Sequence, residues 1–177
     1  GVRIVYDGAH AFGSRLNGRS ICDFGDATVL SFHATKLFHT AEGGAVVVSD
    51  PLLKQRLDLY RNFGIEGSAP VELAGFNSKM NELQAAMGVL VLDMLEDERE
   101  RRATLRALYR ERLGAVEGVR LLSDFADSLQ YFAIQILPSF GCDRDALSEF
   151  LLSYNVVARK YFWPLCSDFP CYSHLSS

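Results

Sequence analysis

Three short apolar runs, separated by loops that carry ionisable side chains, constrain the fold of this chain most. The runs are residues 2–6, 27–32 and 44–49, and each is apolar almost throughout rather than alternating. Such runs are typical of strands buried on both faces of a mainly parallel α/β sheet. The sequence therefore predicts an α/β fold. Its chemistry is expected where the strands end, because ligands bind at that edge of open α/β sheets.

Helices are predicted after the third run. Asp50 and Pro51 supply an N-cap and a proline at the first helical position, and Gly64 is the predicted end. A second and stronger pattern is an apolar stripe at helical spacing, which indicates one buried helix face. The stripe consists of Leu83, Met87, Leu90, Val91, Met94 and Leu95.

A charged segment and a change of pattern follow. Residues 96–112 hold six arginines and five acidic side chains. They are predicted to form a solvated helix with i, i+4 ion pairs, and a docking surface is the alternative. Beyond Gly114, predicted strands at 119–122 and 131–137 and a helix capped by Asp143 indicate a separate small α+β lobe.

Composition excludes several classes of protein. With 49% hydrophobic and 23% charged residues, the chain is an ordinary globular one. Its net charge of −4 and the lack of a basic block argue against a nucleic-acid partner, and no apolar run approaches a membrane span.

The chain enters a predicted strand directly, so it is expected to be a fragment lacking an N-terminal part; a processed start would look the same. No metal site or disulfide framework is predicted, and a reducing cytosol fits best. The cysteines, which form no CxxC pair, are Cys22, Cys142, Cys166 and Cys171.

Asp7, His10 and Lys36 stand at or just after the ends of predicted strands. Each alone is ordinary: a turn aspartate, a structural histidine, a solvated lysine. Together they suggest more, because a lysine amine can anchor a carbonyl cofactor covalently and a protonated pyridine ring needs a carboxylate partner. Ser31 could add a hydroxyl for a cofactor phosphate.

Four ordered blocks then carry a family resemblance. They are DGAHAFG at 7–13, SFHATK at 31–36, EGGA at 42–45 and GFNSKMNELQAA at 75–86. They resemble the DegT/DnrJ/EryC1/StrS family of pyridoxal-phosphate sugar aminotransferases, which have the aspartate-aminotransferase fold (fold type I). The resemblance implies that residues 1–95 are the C-terminal part of a large, mostly parallel-sheet domain that binds the cofactor. Residues 96–177 are then a linking helix and the small α+β lobe.

The resemblance also implies roles for single residues. Lys36 matches the lysine that binds pyridoxal 5′-phosphate covalently, and Asp7 matches the partner of the ring nitrogen. His10 lies where the family has a Gln or His beside the ring, and Ser31 matches a phosphate-binding serine. Asn77 matches an asparagine that reaches the phosphate of the neighbouring subunit, which implies a homodimer.

The sequence departs from the family pattern at three positions. Gly8 stands where Ala is common, Ala41 where a Gly usually precedes the Glu-Gly-Gly turn, and Lys79 where Arg is usual. Some relatives are dehydratases with His in place of the anchoring lysine, and Lys36 argues against that branch.

The implied function is amino transfer from an amino acid, L-glutamate in the family, to a nucleotide-linked keto-deoxysugar. The product would serve polysaccharide, O-antigen or other glycoside biosynthesis, in the cytoplasm. The alternative is a truncated, catalytically incompetent or regulatory relative of the same fold. Because a helix N-terminus for the cofactor phosphate is not visible before Asp7, this chain alone is expected to bind the cofactor poorly and to be nearly inactive. A Rossmann dehydrogenase is disfavoured, since no GxGxxG turn occurs.

Overall fold

A computed structural model describes residues 1–68, 70–71, 73–122, 128–172 and 174–175. These residues form two compact units. Unit 1 contains residues 1–108 together with 128–132, and unit 2 contains residues 109–122 together with 133–175. The domain boundary expected near residue 95 stays a prediction.

Unit 1 is built on a three-stranded sheet. The strands of this unit are β1 (Val5–Asp7), β2 (Arg15–Leu16), β3 (Arg19–Ser20), β4 (Ala27–Ser31) and β5 (Gly44–Val48). The sheet has the order β1, β4, β5, and β2 pairs with β3 separately. β1 is parallel to β4, as expected, whereas β5 is antiparallel to it. Residues 32–43, which join β4 to β5, contain no helix, and a parallel return would need a longer crossover.

Burial depends on position in the sheet. In the central strand β4, Thr28 is fully buried and Leu30 is 7% exposed. In the edge strand β1, Val5 is 65% exposed and Tyr6 is 45% exposed. The expectation that the first apolar run is buried on both faces is therefore wrong for β1 in this chain. Val29 in β4 and Val46 in β5 are also 42% and 47% exposed, so these two strands are buried only in part.

Three phenylalanine rings form the centre of the core. Phe12 stacks on Phe38 with ring centroids 4.3 Å apart, and Phe32 meets Phe38 edge to face at 4.7 Å. Phe32 and Phe38 are 8% and 5% exposed and cluster with Leu30. Because Phe12 follows β1 and the other two rings follow β4, the cluster holds together the segments that leave these two parallel strands.

The first helix begins as predicted. It is α1 (Pro51–Arg61), and the Asp50 carboxylate accepts a hydrogen bond from the Leu52 N–H at 2.9 Å. This confirms Asp50 as the N-cap. The helix ends before Gly64, whose N–H donates to the Leu59 carbonyl at 2.8 Å and whose φ of +74° suits glycine.

The apolar stripe extends over two helices rather than one. They are α2 (Glu82–Asp93) and α3 (Leu95–Leu113), and Met94 separates them. Val91 and Leu95 pack against the core, whereas Leu83, Leu90 and Met94 are 85%, 65% and 66% exposed. The expectation of one buried helix face is therefore wrong for these three residues. Among the described residues, no helix combines the length and the hydropathy of a membrane span.

Unit 2 is α+β, as the pattern after Gly114 predicts. β6 (Val119–Leu121) and β7 (Ile134–Ile136) pair antiparallel, and α4 (Arg144–Ser153) follows. The Asp143 carboxylate caps α4 by accepting the Asp145 N–H at 2.9 Å. β7 is shorter than the strand predicted at 131–137, and Tyr131 and Phe132 belong to unit 1.

Gly8, which stands where the family pattern commonly has Ala, is closely packed against β4. The Gly8 N–H donates to the Val29 carbonyl at 2.8 Å, which brings its backbone against β4. A Cβ atom at this position would lie 2.7 Å from Thr28 Cγ2 and 3.1 Å from the Val29 carbonyl oxygen. Thr28 is β-branched and fully buried, so it has little freedom to move away. An alanine therefore does not fit without a shift of the backbone.

We expect Gly8→Ala to lower the free energy of unfolding by about 1–3 kcal/mol, the usual cost of overpacking a core. Urea denaturation would measure it. Combining Gly8→Ala with Thr28→Ser removes the clashing methyl group, so the double variant should lose less than the sum of the two single changes. A Gly8→Ala protein as stable as its parent would refute this account.

Candidate functional site

The parallel pair β1 and β4 brings two predicted site residues to one edge of the sheet. Asp7 is the last residue of β1 and Ser31 the last of β4, and Asp7 is in register with Val29. Ser31 lies two residues beyond Val29, so both polar residues stand where the chain leaves the carboxyl end of a strand. The Asp7 carboxylate accepts the Ala9 N–H at 3.0 Å, which begins the turn toward His10.

Lys36 lies in the loop that follows β4. Its N–H donates to the His33 carbonyl at 2.9 Å, and the Ser31 hydroxyl accepts the His33 N–H at 3.4 Å. The loop is closed at its base, where the Thr40 N–H donates to the Phe32 carbonyl at 2.9 Å. Lys36 is half-buried and the flanking Phe38 is buried. The lysine is therefore carried on a short loop with both ends tied to the core.

His10 interacts electrostatically with two other predicted residues. Burial lowers the pKa of His10 below its ordinary 6.5, the positive charge of Lys36 lowers this pKa further, and the carboxylate of Asp7 opposes both. Charges near an ionisable side chain shift its pKa in this way. Asp7, His10 and Lys36 therefore share one electrostatic neighbourhood. Ser31 stands at the start of the loop that carries Lys36.

A segment that sequence reasoning missed also contacts these residues. The strap, residues 128–131, lies in unit 1. The Ser128 hydroxyl donates to the His10 carbonyl at 2.9 Å. The Tyr131 hydroxyl lies 3.1 Å from His10 Nε2, with the two rings edge to face at 4.8 Å. The Gln130 amide bonds the backbone on both sides of Lys36.

The strap is held in turn by α3. Arg106 donates to the Ser128 carbonyl at 3.0 Å and Arg102 to the Leu129 carbonyl at 3.3 Å. Arg102 also pairs with Glu98 at 2.6 Å, the i, i+4 pair expected of a charged helix. The charged run is thus more than a solvated helix face, because two of its arginines bind the strap. No periodic sequence pattern could have shown these contacts, since Arg106 and Arg102 lie 22 and 27 residues from the carbonyls that they bind.

Asn77 has its contacts in another part of unit 1. It forms an isolated β-bridge with Asn62, and its side-chain oxygen accepts a hydrogen bond from Lys79 Nζ at 2.8 Å. That amine also lies 4.5 Å above the Phe63 ring. The role of Asn77 toward a neighbouring subunit stays a prediction, and Lys79 orients the amide that would perform it.

The shared electrostatic neighbourhood can be tested by NMR titration of His10. We expect a pKa below 6.5 in the parent chain. Lys36→Met removes a repulsive positive charge and should raise this pKa, whereas Asp7→Asn removes a favourable negative charge and should lower it further. Asn keeps the oxygen that accepts the Ala9 N–H, so the turn is preserved.

Lys54→Met in α1 is the matched control and should leave His10 unchanged, because Lys54 pairs with Asp58 on its own helix. If neither Lys36→Met nor Asp7→Asn moved the His10 titration, the three residues would not form one site.

Comparison with known proteins identifies the family of this chain. The model of the DegT/DnrJ/EryC1/StrS aminotransferase family matches residues 1–177. The chain is 36% identical, over 174 residues, to dTDP-4-amino-4,6-dideoxy-D-glucose transaminase of Shigella dysenteriae, covering 97% of this chain and 47% of that protein.

Solved structures show the same fold. DesI, determined in the presence of its TDP-sugar product, superposes with a TM-score of 0.87 at 36% identity, over 97% of this chain and 45% of that one. Helicobacter pylori PseC, an aminotransferase of pseudoaminic acid biosynthesis, gives a TM-score of 0.89 at 26% identity, over 98% of this chain and 48% of that one. These matches confirm the predicted α/β fold of the aminotransferase class. The chain spans about half the length of the curated relatives it matches, and it belongs to the DegT/DnrJ/EryC1/StrS aminotransferase family.

Proposed function

We propose that this chain carries the lysine-bearing part of a pyridoxal-phosphate-dependent transaminase site. The reaction exchanges the amino group of an amino acid for the carbonyl oxygen of a nucleotide-linked keto-deoxysugar. One observation carries the proposal: Asp7 ends β1, Ser31 ends the parallel strand β4, and the loop after β4 carries Lys36, so all three lie at the carboxyl edge of one strand pair. A binding module would have no chemical need for that combination.

The residues present fit the cofactor by their chemistry. The set combines an amine, a carboxylate and a hydroxyl, from Lys36, Asp7 and Ser31. These are the groups required to bind an aldehyde, a protonated ring nitrogen and a phosphate. When bound, pyridoxal phosphate supplies an aldehyde that joins amines and a ring that accepts an electron pair from the adjacent carbon.

Each residue has a distinct task in this proposal. Lys36 would hold the cofactor through its amine, and that amine would move the proton at the donor α-carbon as general base and acid. Asp7 would hold the proton on the ring nitrogen. Ser31 would donate its hydroxyl to the phosphate, and His10, whose Nε2 lies 3.1 Å from the Tyr131 hydroxyl, would contact the ring.

The substrate class is inferred from the relatives. The Shigella protein is named for a dTDP-linked dideoxy amino sugar, and DesI was solved with a TDP-sugar product. For this chain we propose a nucleotide-linked keto-deoxysugar as the acceptor of the amino group and L-glutamate as its donor. We also propose a homodimer in the cytoplasm, with Asn77 reaching the neighbouring subunit's phosphate.

Borohydride trapping tests the central role of Lys36. Pyridoxal phosphate is added to the chain, sodium borohydride reduces any adduct, and peptide mapping by mass spectrometry locates it. We expect most of the adduct on Lys36, because Asp7 and Ser31 hold the ring and phosphate beside it. Reduction captures reversible binding, so the test works even if this chain alone binds the cofactor weakly.

The other lysines are internal controls, since each amine already has a partner: Lys54 has Asp58, Lys79 has the Asn77 oxygen and Lys160 has Asp145. Lys36→Ala should abolish the preferred adduct, and Asp7→Asn should reduce it several-fold without affecting Lys54. An even distribution over all four lysines would favour the alternative, a regulatory relative without the chemistry.

A further inference from the structure

Gln130 contacts the chain on both sides of Lys36. Its Oε1 accepts the Leu37 N–H at 2.7 Å, and its Nε2 donates to the Thr35 carbonyl at 2.7 Å. The orientation of the amide is determined by these partners, because an N–H can only donate and a carbonyl can only accept. Gln130 is 93 to 95 residues away in sequence, so the contact belongs to the tertiary structure.

The two bonds define the backbone of Lys36. The Thr35 carbonyl belongs to the peptide plane before Lys36, and the Leu37 N–H belongs to the plane after it. Both planes are rigid, so only φ and ψ of Lys36 relate them. A side chain bonded to both planes restricts these two angles and therefore the direction of the Lys36 Cα–Cβ bond. The Lys36 N–H is bonded to the His33 carbonyl, which restricts the first plane further.

Gln130 is itself well anchored. Its neighbours Leu129 and Ser128 have their carbonyls bound by Arg102 and Arg106 of α3, and the Ser128 hydroxyl bonds the His10 carbonyl. The amide therefore reaches Lys36 from a segment with independent attachments. Leu37 is buried, with 8% exposure, so its N–H would be left unsatisfied without Gln130.

We propose that Gln130 is a positioning residue that clamps the two peptide planes around Lys36 and so aims the lysine amine at the cofactor aldehyde. The inference rests on the proposed role of Lys36. The proposal gives the strap a role in the reaction that neither the motif blocks nor the charge pattern indicates.

The clamp can be tested in this chain with two readouts. The first is hydrogen exchange at the Leu37 amide, measured by NMR. Gln130→Leu removes both bonds and should speed this exchange roughly tenfold, the factor that corresponds to one net hydrogen bond. Gln130→Glu keeps the acceptor for the Leu37 N–H and should retain most of its protection, while the Thr35 bond is lost.

The second readout is the share of borohydride-trapped pyridoxal phosphate found on Lys36 relative to Lys54. We expect Gln130→Leu to lower this share several-fold with no loss of labelling at Lys54. Gln135→Leu is the matched control: it removes a glutamine that bonds Arg120 in unit 2 and should change neither readout. A purely structural residue would alter the thermal midpoint without redistributing the adduct.

The outcomes separate the clamp from the proposed function. If the parent chain shows no preference for Lys36, the proposed function fails and the clamp with it. If the parent labels Lys36 preferentially but Gln130→Leu labels it equally, or keeps the Leu37 amide protected, the clamp alone is rejected. Should Gln130→Leu not fold, Gln130→Glu decides: the clamp requires a protected Leu37 amide, and rapid exchange in this folded variant would overturn it.

Discussion

The stacking of Phe12 on Phe38, with Phe32 against the same ring, is the contact on which the rest of the site depends. Phe12 follows the strand that ends in Asp7, and Phe32 and Phe38 lie on either side of Lys36 in sequence. Each aromatic pair contributes about 0.5–1.5 kcal/mol beyond the burial of its surface. Because the rings are shared by both segments, neither the turn of His10 nor the loop of Lys36 can move independently of the other.

Above this core, the site is held by hydrogen bonds to backbone groups rather than by ion pairs between exposed side chains. Gln130, Ser128 and the two arginines of α3 all bind carbonyl or N–H groups. Such bonds fix the backbone and involve neither the Lys36 amine nor the Asp7 carboxylate, one oxygen of which accepts the Ala9 N–H. The exposed pairs on the helices, such as Lys54 with Asp58, contribute little by comparison.

The electrostatic arrangement is consistent with a site that must hold charges of both signs. His10 lies in the fields of a cation and an anion, and its partial burial favours the neutral imidazole. A neutral ring can pack beside a cofactor without adding charge to it. The family relationship and the geometry therefore support the same reaction class through separate observations: one through ordered sequence blocks, the other through side chains brought together by the fold.

The sequence by itself determined the elements with local causes: the apolar strands, the Asp50 and Asp143 caps, and the α+β character of the C-terminal part. Its motif blocks also identified the family and predicted Lys36 as the lysine that binds the cofactor. It failed where the cause is not local. Strand β1 is exposed because burial depends on what packs over it, and the stripe of α2 and α3 is broken at Met94 and only partly covered. Tyr131 alternates like a strand residue but lies against His10. Only the tertiary structure decided that the strap reaches Lys36 and His10, because contacts across 93 to 121 residues leave no periodic signal in a single chain.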